Sequence, residues 1–143
     1  MDQPQTCHGC GFLISNLLRP VERYGGRIPR FFIYAETSRG EIAVCDLCFD
    51  SEVGFRELNE NDKAVVRWHF GCAFADEDGD PARAIEILLP LLAESRVPDI
   101  LSPLGRAFLL FGRREEGIAL LQESLEYRGS PYRKVDEELL RRA

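Results

Sequence analysis

Four of the five cysteines in this chain fall in two Cys-x-x-Cys pairs, Cys7-His8-Gly9-Cys10 and Cys45-Asp46-Leu47-Cys48. Each pair sets two thiols on one tight turn, where both can reach a single ion. Glycine within or after the first pair (Gly9, Gly11) allows the backbone angles such a turn needs. Paired cysteines serve metal sites, redox couples or cross-links. No apolar run approaches the roughly 20 residues of a membrane span. The opening MDQPQTCHGC lacks the basic start and apolar stretch of a secretory leader. The expectation is a reducing, cytoplasmic home without membrane association, where such pairs are metal ligands or redox groups rather than structural disulfides.

The chain has two textures. Residues 1–58 are rich in glycine, aromatic and β-branched residues, and residues 59–143 read as helical. Two short strands are expected at Arg30–Glu36 and Glu41–Cys48, with Thr37-Ser38-Arg39-Gly40 as the turn and Gly40 at positive φ. The stretch between the cysteine pairs is long enough for a small three-stranded sheet. RYGGRIP reads as another loop, and SNLLRPVE as a short helical turn or an irregular segment.

Beyond Asn59 the apolar period becomes helical. Asp80-Pro81, Ser102-Pro103 and Ser130-Pro131 read as a cap followed by proline at the first helical position, and Gly112 and Gly129 as stops. The expected helices cover 61–76, 81–94, 103–111, 114–128 and 131–142, with Pro90 kinking the second. The class is α+β, mostly α. Helix 81–94 is apolar nearly all round, so burial nearly all round is expected, whether by the N-terminal unit, by a client or in a homodimer.

FGCAFADEDGDPARAIEILLPLL parallels LGRAFLLFGRREEGIALLQESL: Gly71 is echoed by Gly105 and Ala84 by Gly117, a period of about 34 residues. Each unit is a helix, a glycine-containing turn and a second helix. Leu104-Gly105, Ala107-Phe108, Gly112, Gly117-Ile118, Leu121 and Leu125 stand where the tetratricopeptide repeat wants small or apolar residues. The first unit carries one extra residue in its DEDGD turn, with Trp68 near the repeat's tryptophan position. This stretch resembles a short tetratricopeptide-like array of two repeats. PYRKVDEELLRRA would be its capping helix, with Tyr132, Val135 and Leu139 on one face.

That resemblance implies an adaptor that holds a peptide or helix of a protein partner, not an enzyme. The first helix of each repeat would line the groove, so Arg106 and Leu109 are candidate contacts, with Trp68 and Cys72 in the first repeat. The four cysteines, Cys7, Cys10, Cys45 and Cys48, resemble the ligands of a zinc ribbon or a treble-clef-like knuckle pair, with zinc preferred to iron. About sixty residues bury little apolar surface, and metal binding supplies folding energy directly. The competing reading is a rubredoxin-like iron site or a thiol redox sensor. CDLCFD departs from rubredoxin by placing Phe49 where a knuckle glycine is usual.

The net charge is −6, which argues against general binding to nucleic acid. Arg19, Arg23, Arg27 and Arg30 nonetheless form a basic run. It could touch phosphate, or it could balance the charge of a four-thiolate zinc site. His8 reads as a neighbour of the metal, Cys72 as a small core side chain, and DEDGD as a polar turn with a helix cap. No phosphate-cradling loop, nucleophile elbow or metal-hydrolase motif is present.

Overall fold

A computed structural model describes residues 4–16 and 19–143. The side chains of Asn16 and Arg23 also lie outside the described part. The fold is α+β and mostly helical: a two-stranded antiparallel sheet and six α-helices among the described residues. The chain divides into two compact units, Met1–His69 and Phe70–Ala143, and one helix runs through the division.

In the first unit, β1 (Phe32–Thr37) pairs with β2 (Gly40–Cys45). Ile33 lies opposite Val44 and Ala35 opposite Ile42, so apolar partners meet across the ladder. Ser38 and Arg39 make the turn, and Gly40 takes φ 100°, as the sequence implies. Two expectations need correction. The third strand is reduced to a single bridge from Cys7 to Ala43. The chain cannot run on as a strand there, because it turns back at once, with the Gly11 amide donating to the Cys7 carbonyl. The second strand also ends at Cys45 rather than Cys48. Cys45 caps the short helix α1 (Asp46–Ser51), its sulfur accepting the Cys48 amide. SNLLRPVE (15–22) overlaps a 3-10 turn at each end, Ile14–Asn16 and Glu22–Tyr24, and Leu17 and Leu18 lie outside the described residues.

Helix α2 (Glu60–Phe74) starts on an Asn59 cap, whose side chain accepts the Asp62 amide at 2.8 Å. Asp62 in turn holds the hairpin turn, accepting the Ser38 amide at 3.0 Å and the Ser38 hydroxyl at 2.6 Å. The core of this unit gathers Ile33, Val44, Leu47, Phe49, Phe55, Leu58 and Val66. Phe49 and Phe55 meet edge to face at 5.7 Å.

In the second unit, α3 (Pro81–Glu94) begins as expected, with Asp80 capping the Arg83 amide and Pro81 in the first turn. Helix α4 spans Pro98–Phe111, α5 Arg114–Leu125 and α6 Arg133–Arg142. They pack in sequence: α3 on α4, α4 on α5 and α5 on α6. Helix α4 starts five residues before the expected point, because Pro98 takes the first helical position and Pro103 lies inside the helix. There Pro103 gives up one backbone bond, in a stretch buried from Ile100 to Gly105. Helix α6 starts two residues late, since Ser130 and Pro131 form a turn in which the Ser130 hydroxyl accepts the Tyr132 amide.

Helix α3 is not buried all round. It turns Ala84, Leu88, Leu91 and Leu92 inward and leaves Leu89 47% exposed. It runs through Pro90, which is exposed. The two hairpins share one packing device. A Cβ on Gly71 would stand 2.4 Å from a Leu88 methyl, and one on Gly105 would stand 2.9 Å from Leu121 Cγ. In both, a glycine on the first helix lets a leucine of the second lie against its backbone.

Helix α6 departs from the expected face. Val135 is 45% exposed, and the residue turned inward is Asp136, which is fully buried. Its carboxyl accepts the Ser102 hydroxyl of α4 at 2.5 Å and the Ser124 hydroxyl of α5 at 2.6 Å. Two donors on separate oxygens satisfy a group that burial would otherwise penalise. None of the described helices is long and apolar enough to cross a membrane.

Candidate metal centre

The first cysteine pair sits on a knuckle. The Cys7 amide donates to the Phe12 carbonyl at 2.9 Å, and the Gly11 amide returns to the Cys7 carbonyl at 2.9 Å. The His8 amide donates to the Ala43 carbonyl at 2.7 Å, which fastens the knuckle to β2. Gly9 is required by space: a Cβ there would stand 2.4 Å from the Val53 carbonyl oxygen and 2.7 Å from Cys48 Sγ. Gly54 presses on the same point at φ 73°, its own Cβ position 2.4 Å from Gly9 Cα.

The second pair sits at the end of β2 and in the first turn of α1, not on a second hairpin. This explains Phe49: the residue after Cys48 is inside a helix and packs in the core, so a knuckle glycine has no place there.

The four sulfurs of Cys7, Cys10, Cys45 and Cys48 all lie within 4.8 Å of one another. Cys7, Cys45 and Cys48 are buried and Cys10 is half-buried; none is in a disulfide. Such a cluster can hold a metal ion, and four thiolates are the donor set of soft or borderline metals. Hydrogen bonds surround it. The Cys45 amide donates to Cys7 Sγ and the Cys48 amide to Cys45 Sγ, both at 3.4 Å, and Tyr24 Oη lies 2.8 Å from Cys48 Sγ. As thiols Cys7, Cys45 and Cys48 influence one another's protonation. Hydrogen bonds with Cys45 and Cys48 hold Cys7 far below the ordinary thiol range. Cys48 is driven up by its bonds to Cys45 and Cys7 and by burial. Burial, then the bond to Cys48, pushes the Tyr24 phenol above its usual range, so its oxygen keeps its proton.

His8 stands outside the sulfur cluster, with Nε2 3.4 Å from a Glu57 carboxylate oxygen. Arg19, Arg27 and Arg30 are exposed, and the side chain of Arg23 lies outside the described residues. The Arg30 amide, not its guanidinium, is what reaches Asp46, at 3.0 Å.

Of the candidate partner contacts, Trp68 belongs to the first unit and Cys72, Arg106 and Leu109 to the second. In the first, Trp68 is half-buried with its ring 4.8 Å from that of His69, and burial holds His69 below the ordinary imidazole range. In the second, Arg106 donates to the Ala75 carbonyl at 2.9 Å and faces an Asp76 carboxylate oxygen at 3.3 Å. Cys72 lies within reach of the Arg106 charge, yet burial pushes its thiol up to about 12. That shift disfavours the thiolate at neutral pH. Leu109 is half-buried and lies over Gly117 of α5. The DEDGD stretch is a turn, closed by the Gly79 amide on the Asp76 carbonyl at 2.8 Å, with Asp80 as the cap of α3.

Tyr24, Asp136 and Ser124 were not among the residues singled out by sequence, and Ser102 was read there only as a helix cap. An aromatic beside two glycines, between two cysteine pairs, is a signal for the first. A lone acid at a helix-face position is too common to mark the second. Set against known proteins, the chain matches no family model, no curated protein and no solved structure.

Proposed function

We propose that the chain is a non-enzymatic interaction adaptor. In this reading Cys7, Cys10, Cys45 and Cys48 hold one structural zinc ion, and the repeated helical hairpins offer a docking face to a peptide or helix of a protein partner. The sulfur cluster carries the metal half. Zn–S bonds of about 2.3 Å in a tetrahedron set the sulfurs about 3.8 Å apart. Four sulfurs already within 4.8 Å of one another need only a small contraction to meet that. Four protein ligands fill the shell and leave no position for substrate, which is the mark of a structural site. The order of knuckle, hairpin and helix resembles a treble-clef-like zinc module. Iron accepts the same four thiolates, and metal content separates the two.

The docking half rests on the repeat. Equivalent glycine–leucine contacts in two successive hairpins support the likeness to tetratricopeptide arrays, which use their first helices as a groove. Arg106 is the residue whose charge would meet an acidic client, exchanging its Asp76 contact for the client's carboxylate. The test is affinity capture with the full-length, metal-loaded chain and with Arg106→Glu. Saturable retention of one partner that the variant loses, with helical content unchanged, is expected. Absence of a saturable partner, or equal retention by the variant, would remove the docking half.

A further inference from the structure

Three sulfurs of the cluster are buried, and besides the contacts among the sulfurs themselves each meets a donor group from elsewhere in the chain. Cys45 receives the Cys48 amide of its own turn and Cys7 receives the Cys45 amide from the end of β2, both at 3.4 Å. Among the described residues no backbone amide is seen on Cys48 Sγ. Its partner is the phenol of Tyr24, at 2.8 Å, brought from a separate loop.

That loop is shaped around the contact. Val21 bridges to Arg27, the Gly26 amide donates to the Val21 carbonyl at 3.0 Å, and the Arg27 amide donates to the Tyr24 carbonyl at 3.2 Å. Gly25 and Gly26 take φ 64° and 83°, which lets the chain reverse directly after Tyr24. Gly25, Gly26, Arg27 and Ile28 face solvent, while Val21 is buried and Tyr24 half-buried. Among its described side chains, the loop turns inward the apolar Val21 and, in part, the Tyr24 phenol.

We infer that Tyr24 is a positioning residue of the metal centre, its O–H donating to the Cys48 thiolate and drawing charge from that sulfur. This rests on the metal reading above. A metal-bound cysteine sulfur carries no proton, so the phenol is the donor. Such an outer hydrogen bond orients the ligand and weakens its electron donation.

The test uses cobalt(II) as the metal in the full-length chain, in Tyr24→Phe and in Tyr24→Leu. The wild-type chain is expected to bind cobalt with the visible spectrum of a tetrahedral thiolate site. In both variants the sulfur-to-cobalt charge-transfer band moves to lower energy, because a sulfur that loses its donor gives up an electron more readily. Cobalt affinity against a competing chelator falls by about 10-fold. A Phe variant with the wild-type band, alongside a shifted Leu variant, would assign Tyr24 a packing role only and overturn the inference. A wild-type chain that takes no tetrahedral cobalt would overturn the metal reading and this inference with it.

Discussion

Asp136 of α6 accepts the Ser102 hydroxyl of α4 at 2.5 Å while fully buried. With Ser124 of α5 on its other oxygen, one carboxyl joins three helices. We expect Asp136→Ala to cost about 3–5 kcal/mol in urea unfolding, since two buried hydroxyls lose their acceptor. Replacing all three by apolar residues, Ser102→Ala, Ser124→Ala and Asp136→Leu, should recover most of that loss. If the single variant costs under about 1 kcal/mol, the trio does not hold α6.

Gly71 and Gly105 admit Leu88 and Leu121 onto a helix backbone. Alanine is the better helix former, so propensity alone predicts stabilisation by Gly105→Ala of up to about 1 kcal/mol. The contact wins instead: a Cβ would stand 2.9 Å from Leu121 Cγ and 3.2 Å from the Gly117 carbonyl oxygen. A net loss of about 1–3 kcal/mol is expected. A double-mutant cycle with Leu121→Ala should show coupling, and simple additivity would mean the two residues do not meet.

These contacts also show what the sequence could reveal. The helical period and the cap at Asp80 are local signals, and local physics reproduces them. The convergence of four cysteines was legible from their pairing alone. What stayed hidden depends on distant partners. Pro103 reads as a helix start until Pro98 takes that role. Val135 reads as core until Ser102 and Ser124, far away in sequence, supply hydroxyls that make Asp136 the buried residue instead. Tyr24 becomes part of the site only when its loop folds back onto Cys48.

Gly9 has no room for a side chain between Val53 and Cys48 Sγ. Gly9→Ala should therefore displace the knuckle or Cys48 and weaken metal retention by at least about 10-fold, the scale of a disturbed ligand environment. Gly40→Ala serves as a control: its site is open, so it strains a hairpin turn without touching a sulfur. Chelator competition on both variants checks this. Equal retention would mean that the knuckle tolerates a Cβ.

Acid should loosen the hairpin. The Ser38 hydroxyl, then the Ser38 amide, holds the Asp62 carboxyl below its ordinary range. A carboxyl depressed in the fold adds stability at pH above its unfolded value, about 3.9, and that contribution is lost as pH falls through its folded value. The stability difference between wild type and Asp62→Asn should be level from pH 7 to pH 5. It should then shrink below about pH 4. A difference that is unchanged at pH 3, measured by chemical unfolding, would deny the Ser38–Asp62 tie.

The most direct measurement is metal content with an absorption spectrum, on untagged full-length protein purified under reducing conditions. We expect about one zinc per chain, no visible band, and loss of that zinc in Cys45→Ser. Iron with a visible thiolate charge-transfer band would make this an electron-transfer or sensing protein. A chain without stoichiometric metal would mean that the four sulfurs do not form a metal site.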